Sequence, residues 1–205
     1  MKVYVETNFI LEMAFEQNQS TACEAILQLA EQTSVHLAIP AFCFTEPHGR
    51  LQRQNHARGE LQRKLAGERK EFSRSPHFTE EQKTAWDTVS GMLVSSTQQA
   101  EQRLGTVRGR VLRTARILPL TASVIEMAVQ GQVQYGLQFP DALVLSSVLE
   151  DLQSGQEQAC FLNANSKDFD EPAVVNDLKK RNCKPMWRFD AALEYIRATV
   201  QKPAG

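Results

Sequence analysis

The residues of this 205-residue chain whose setting suggests chemistry are carboxylates. Glu6 directly follows the β-rich run Val3-Tyr4-Val5 and precedes Thr7-Asn8. Glu46 stands in Phe44-Thr45-Glu46, shortly after an apolar run that ends at Pro40. Asp141 stands in Phe139-Pro140-Asp141-Ala142-Leu143, where a helix is predicted to open. Asp168 and Asp170 follow Cys160-Phe161-Leu162, in the stretch Asn163-Ala164-Asn165-Ser166-Lys167-Asp168-Phe169-Asp170. Each acid thus lies at the end of an apolar segment or at the start of a helix. In an open parallel sheet, ligand sites form there, outside the carboxyl ends of the strands. Mg²⁺ and Mn²⁺ take carboxylate oxygens and usually keep several waters. Such ions can activate water, orient a phosphodiester and stabilise a leaving oxygen. Crowded carboxylates repel one another without a cation, so a metal explains the group better than a salt-bridge network does. Taken singly, each acid has an ordinary explanation: Asp141 as a helix N-cap, Asp168 and Asp170 as turn residues, Glu6 as a charge near a helix N-terminus, Glu46 as a solvated helix residue. Their order and setting together favour the metal.

The elements that must position these acids alternate between strand and helix. Val3–Val5 reads as a first, central strand and Asn8–Phe15 as a short helix. Thr21–Gln32 carries Ala22, Ala25, Ile26 and Leu29 at helical spacing, and Val35–Ile39 is a second strand ended by Pro40. Phe42–Ser75 reads as one very long helix that Pro47 and Gly49 can bend, stopped by Pro76. Thr79-Glu80-Glu81-Gln82 is a capping-box pattern. It opens a second long helix to about Arg116, with a weak point expected at Gly105 or Gly109. Ile117–Leu120 is a short apolar segment, and a helix follows from Thr121 to about Gln134. The helix opening at Pro140-Asp141 has Ala142, Leu145, Ser146, Val148 and Leu149 as its packing face. Cys160–Leu162 is a strand, Glu171–Arg181 a helix and Met186–Phe189 a last strand, with a helix from Asp190. This pattern predicts an α/β fold with a parallel sheet and helices on both faces, interrupted by a helical hairpin arm at about residues 50–116. It reads as one domain over residues 1–205.

Formal net charge is only −1, yet the arm concentrates positive charge. Between Arg50 and Arg74 stand Arg50, Arg53, Arg58, Arg63, Lys64, Arg69, Lys70 and Arg74, against Glu60, Glu68 and Glu71. From Arg103 to Arg116 there are five arginines, Arg108, Arg110 and Arg113 among them, and no acid. Arginine suits phosphate backbones, which bind such surfaces by counterion release. Arg50, Arg53, Arg108, Arg110 and Arg113 are therefore candidate RNA contacts. The competing readings are a solvated face with internal pairs such as Glu60 with Lys64, and an arm that clamps a partner protein or a second copy.

Other classes are disfavoured. Cys23, Cys43, Cys160 and Cys183 form no Cys-x-x-Cys pair and no zinc-ligand spacing, so they read as buried thiols in a reducing compartment. The acidic residue soon after Met1 leaves no room for an apolar signal region, and no run is long enough to span a membrane. A cytoplasmic protein with no membrane partner is expected. There is no glycine-rich phosphate loop. His48 reads as a surface residue, and Trp86 and Trp187 as packing anchors.

These motifs resemble those of PIN-domain proteins, the family that includes VapC-type ribonuclease toxins. Members begin with a strand and Asp-Thr-Asn, here Glu6-Thr7-Asn8. They carry an acid after the second strand, here Glu46, and a helix that opens with Asp, here Asp141-Ala142-Leu143-Val144-Leu145. They end on a strand leading to a Thr-x-Asp/Asn-x-x-Asp-Phe pattern, here Asn163 to Phe169. The resemblance covers roughly residues 1–50 and 117–190 and leaves the arm out. It implies a three-layer α/β/α fold and a metal-dependent endoribonuclease. Glu6, Glu46, Asp141 and Asp168 would be catalytic. Glu6, Asp141 and Asp168 would hold Mg²⁺ or Mn²⁺, with Asp170 in reserve. Thr7, Asn8, Asn163 and Asn165 would orient those ligands. It also implies RNA and an antitoxin as partners. Glu6 departs from the family's Asp, Asn163 from its Thr or Ser, and Asn165 from the Asp of many members. These departures motivate the rival expectation, a catalytically silent module that binds RNA or protein through the arm.

Overall fold

The computed structural model describes residues 1–153, 157–164 and 169–201. Its sheet has five parallel strands: β1 (Lys2–Val5), β2 (His36–Pro40), β3 (Arg116–Leu118), β4 (Ala159–Leu162) and β5 (Cys183–Met186). Their spatial order is β3-β2-β1-β4-β5. The chain therefore steps outward from β1 in one direction through β2 and β3, then returns to build β4 and β5 on the other side. This reversal puts a topological switch point between β1 and β4, and a crevice opens at the carboxyl end of such a pair. Val3, Tyr4 and Val5 are fully buried and all of β4 is buried. Runs that are apolar on both faces, without alternation, belong to a parallel sheet covered on both sides.

The helices are α1 (Thr7–Ala14), α2 (Ser20–Glu31), α3 (Glu46–Phe72), α4 (Glu80–Thr114), α5 (Ala122–Tyr135), α6 (Phe139–Leu152), α7 (Pro172–Lys180) and α8 (Phe189–Val200). A short 3₁₀ turn, Ala41–Phe44, links β2 to α3. α1 and α2 pack on each other and on α4, and α2 packs on α8. α6 lies over β2 and β3 with α5 against it. The result is the expected PIN-like α/β/α layering around one apolar core.

α3 and α4 form the predicted hairpin. The capping box is present: Gln82 N–H donates to Thr79 Oγ1 at 3.3 Å, and Thr79 N–H donates to Gln82 Oε1 at 3.0 Å. α4 runs unbroken through Gly105 and Gly109, so neither is the weak point that their composition suggested. α3 begins at Glu46 rather than Phe42, because the 3₁₀ turn precedes it. Pro47 then falls in the first helical turn, where its missing N–H costs nothing. The root of the arm is fixed to the body: Ala100, Leu104, Val107 and Val111 of α4 are buried. Arg103 donates to the Ala14 carbonyl, and Arg110 grips both Glu24 and Glu31 of α2.

One strand lies elsewhere than expected. β5 is Cys183–Met186, three residues before the predicted Met186–Phe189. It is an edge strand paired only with β4, a position that tolerates Pro185. Trp187 and Arg188 instead form the turn into α8, with Arg188 as its N-cap.

Candidate functional site

The first acid is placed by the junction of β1 and α1. Glu6 leaves the strand in extended conformation and caps the helix, its Oε2 accepting from the Asn8 backbone N–H at 2.9 Å. The side chain is buried, with 6% exposure, and Oε1 is fully enclosed without a hydrogen-bond partner among the described residues. Burial is the main reason that its pKa is pushed up to about 8. The Asn8 amide groups and the Ala164 N–H pull it down, and the negative charge of Glu46 pushes it further up. An enclosed carboxylate oxygen without a donor is costly unless a proton or a cation meets it.

Glu46 arrives from the neighbouring strand. The 3₁₀ turn after β2 carries the chain over the sheet end, and Glu46 opens α3 as an exposed residue. Arg50 and Arg53 follow it by about one and two helical turns, on the same side of the helix. Asp141 comes from α6. The N-cap there is Gln138, and Asp141 is the third helical residue, so it is not the N-cap that its position suggested. Asn163 follows β4 directly, is 1% exposed, and ties β4 to β5 through its N–H to the Met186 carbonyl. Phe169 packs edge-on against Phe161 beneath it.

These side chains line one cleft of about 730 Å³ at the carboxyl end of the sheet. Glu6, Asn8, Glu46, Asp141 and Asn163 meet there with Arg50 and Arg53, and Phe42, Thr45, Gly49, Pro140 and Phe169 complete the wall. Phe42 and Thr45 were not legible as site residues, since an apolar side chain and a turn threonine carry no chemical signature of their own. Thr7 is buried beside Glu6. Asp170 is exposed and does not line the cleft. Asp168 and Asn165 lie outside the described residues. Among the described residues no three His, Cys, Asp or Glu side chains come close enough together to form a metal-binding group. The donor set is nevertheless of the type that a hard divalent cation takes, all carboxylate and amide oxygens.

The candidate RNA-binding arginines divide. Arg50 and Arg53 face the cleft, Arg50 lying over the Phe15 ring at 5.9 Å. Arg110 makes a fork to Glu24 at 2.8 Å and also binds Glu31, which holds both carboxylates below the usual glutamate range. Arg113 is exposed in a shallow groove on α4, away from the cleft. Arg108 is half-buried on the same helix. No helix among the described residues is long and apolar enough to cross a membrane.

A family model described as a PIN domain matches residues 3–169, a stretch that includes the helical arm. No curated protein matches the chain. Among solved structures, similarity is found to a VapBC2 complex from Rickettsia felis bound to a DNA fragment from its promoter. The identity is 14%, the alignment covers 91% of this chain and 99% of that one, and the TM-score is 0.43, too loose a match to bear on the site.

Proposed function

The chain belongs to the PIN-domain family, and from that premise we propose that it is a divalent-metal-dependent endoribonuclease acting at the Glu6 cleft. The observation that carries this reading is the enclosed, donor-less Oε1 of Glu6, facing a cleft shared with Glu46, Asp141 and two arginines. Evolution of a merely structural carboxylate would be expected to supply that oxygen with a donor. Glu6 and Asp141 would hold the ion together with Asp168, and Glu46 would close the group, with Asp170 in reserve. A bound Mg²⁺ or Mn²⁺ would supply a Lewis acid for the phosphodiester and an activated water.

The chain's own groups do the rest. The Asn8 N–H fixes Glu6 Oε2, leaving Oε1 as the free ligand atom. Thr7, Asn8, Asn163 and Asn165 orient the carboxylates. Arg50 and Arg53 bind phosphates flanking the scissile bond, since their helix leaves the cleft alongside any strand lying in it. By family analogy the protein is the toxin of a toxin–antitoxin pair, with an antitoxin protein as its partner. Cleavage of single-stranded RNA with and without Mn²⁺, run beside Asp141→Asn, tests the reading. Mn²⁺-dependent cleavage that Asp141→Asn removes is expected. Cleavage that survives the substitution, or its absence at every metal concentration, overturns the proposal.

A second reading has its own observation. The described acids form no three-ligand group, and burial pushes the Glu6 pKa up to about 8, which favours its neutral form where no cation is bound. A silent module that binds RNA or protein accounts for both. The absence of a thermal shift with Mn²⁺, alongside retained RNA binding, selects it.

A further inference from the structure

The far half of the arm carries a surface that the nuclease reading leaves unused. Beyond Leu51 no residue of α3 is buried, and before Ala100 none of α4 is. The two helices pack on each other there through Trp86, whose indole N–H donates to the Leu65 carbonyl at 3.2 Å. Phe72, Phe78 and Trp86 form a cluster with ring centroids 5.6–6.4 Å apart. One face of this hairpin stays apolar and open. A groove of about 630 Å³ runs between the helices, lined by Leu65, Phe72, Phe78, Ala85, Trp86 and Val89. Phe72 is 48% exposed, Val89 50% and Met92 64%. Leu61 and Met92, both exposed, stand one helical turn from Leu65 and Val89 and continue the apolar surface toward the body.

Two helices can bury the seam between them but not a second apolar face, which needs further helices to cover it. The charge around the groove indicates which helices. From Leu61 to Val89 there are six Lys and Arg and five Asp and Glu. Several are already matched within the arm: Arg69 with Asp87, Arg74 with Glu71 and Lys83 with Glu80. Such a balanced rim repels neither itself nor its own copy. It offers little to a nucleic-acid backbone, which needs unmatched cations. An aromatic centre inside a mixed-charge rim is the composition of a subunit contact. We propose that the arm tip is a self-association surface, where the α3–α4 hairpins of two copies dock face to face to complete a four-helix bundle. The contact is isologous, with the same stripe on both sides. It lies at the far end of the arm and does not depend on how the Glu6 cleft works.

Sedimentation velocity of the full chain across a wide micromolar range, without added RNA, tests this. A concentration-dependent dimer is expected. The double substitution Val89→Glu with Met92→Glu should weaken it by roughly tenfold or more, since Val89 lines the groove and Met92, more exposed still, stands one helical turn beyond it. Both positions are exposed, so the unfolding transition should be unchanged. Should the double variant fold poorly, Met92→Lys alone, at the more exposed site, reads out the same loss. Leu112→Glu, exposed on α4 outside the stripe, should leave the dimer intact. A wild-type chain that stays monomeric at the highest concentration overturns the inference. So does a dimer that is indifferent to Val89→Glu with Met92→Glu. A single-stranded oligonucleotide that binds a monomeric wild type and is lost in the double variant would assign the surface to nucleic acid instead.

Discussion

Strand β1 has a buried carboxylate at each end, and the two are built in opposite ways. At its start, Asp151 accepts from the Tyr4 hydroxyl at 2.7 Å and from Lys2 Nζ at 2.9 Å, and pairs with Arg116 at 3.0 Å. Burial alone would raise its pKa, but these hydrogen bonds and charges outweigh burial and hold it below the usual aspartate range. At the other end, Glu6 Oε2 accepts from the Asn8 backbone N–H, Oε1 has no partner among the described residues, and the charge that acts on the pair is that of another acid, Glu46. Both carboxylates stand at the margin of the same core. Their solvent exposure is nearly equal, and what separates them is the supply of partners. A buried acid closed by its own fold is structure, and one left open is a place for something else to bind.

The largest expected effect falls on the closed end. Asp151→Ala strands the Tyr4 hydroxyl and the Lys2 ammonium in a buried site, and such one-sided removal costs about 3–5 kcal/mol. Urea denaturation checks it; a loss under about 1 kcal/mol would mean that Asp151 is as dispensable to the fold as any surface acid, and the contrast would break.

The open end should respond with the opposite sign. Glu6 has a folded-state pKa near 8, above its ordinary value of 4.5. Its contribution to stability is therefore fully present below about pH 4.5 and is lost as pH rises through about 8. Glu6→Gln keeps the neutral shape at every pH, so the metal-free variant should exceed wild type by about 4 kcal/mol at pH 8 and match it near pH 4. Denaturation curves at the two pH values give the comparison. Mn²⁺ should stabilise the wild type more at pH 8 than at pH 6, because a ligand must shed its proton first. A variant that is no more stable than wild type at pH 8 would show that Glu6 is already satisfied.

How much of this was legible in the sequence follows from the range of each interaction. Val3–Val5 announces a buried strand by composition alone, and Thr79 with Gln82 announces a helix start because the capping box closes within four residues. Glu6, Glu46 and Asp141 could be grouped because the carboxyl end of a parallel sheet gathers the segments after each strand. The Asp151 site could not, since Lys2, Tyr4 and Arg116 reach it from far along the chain and none carries a motif. The last strand lies ahead of its predicted place because Trp187 and Phe189 have strand-like character, whereas an edge position lets the less β-prone Cys-Lys-Pro-Met pair instead. Among the arginines, composition showed a basic arm but not that Arg110 is taken by Glu24 and Glu31.

Those arginines repeat the contrast between closed and open groups at lower energy. Arg110→Ala removes a fork that joins α4 to two acids of α2 in a partly buried position. It should cost about 1–2 kcal/mol of stability and leave RNA affinity unchanged. Arg53 faces the cleft with no ion-pair partner among the described residues. A surface cation of this kind contributes little to folding, so Arg53→Ala should leave stability within about 0.5 kcal/mol. If it meets a phosphate, the variant binds single-stranded RNA several-fold more weakly, and its affinity falls less steeply with salt, by about one in the slope of log K against log salt. The two variants thus exchange phenotypes: one loses stability and keeps RNA, the other keeps stability and loses RNA. Equal salt slopes for Arg53→Ala and wild type would remove the arginine from the binding surface and leave the cleft's acids to act without it.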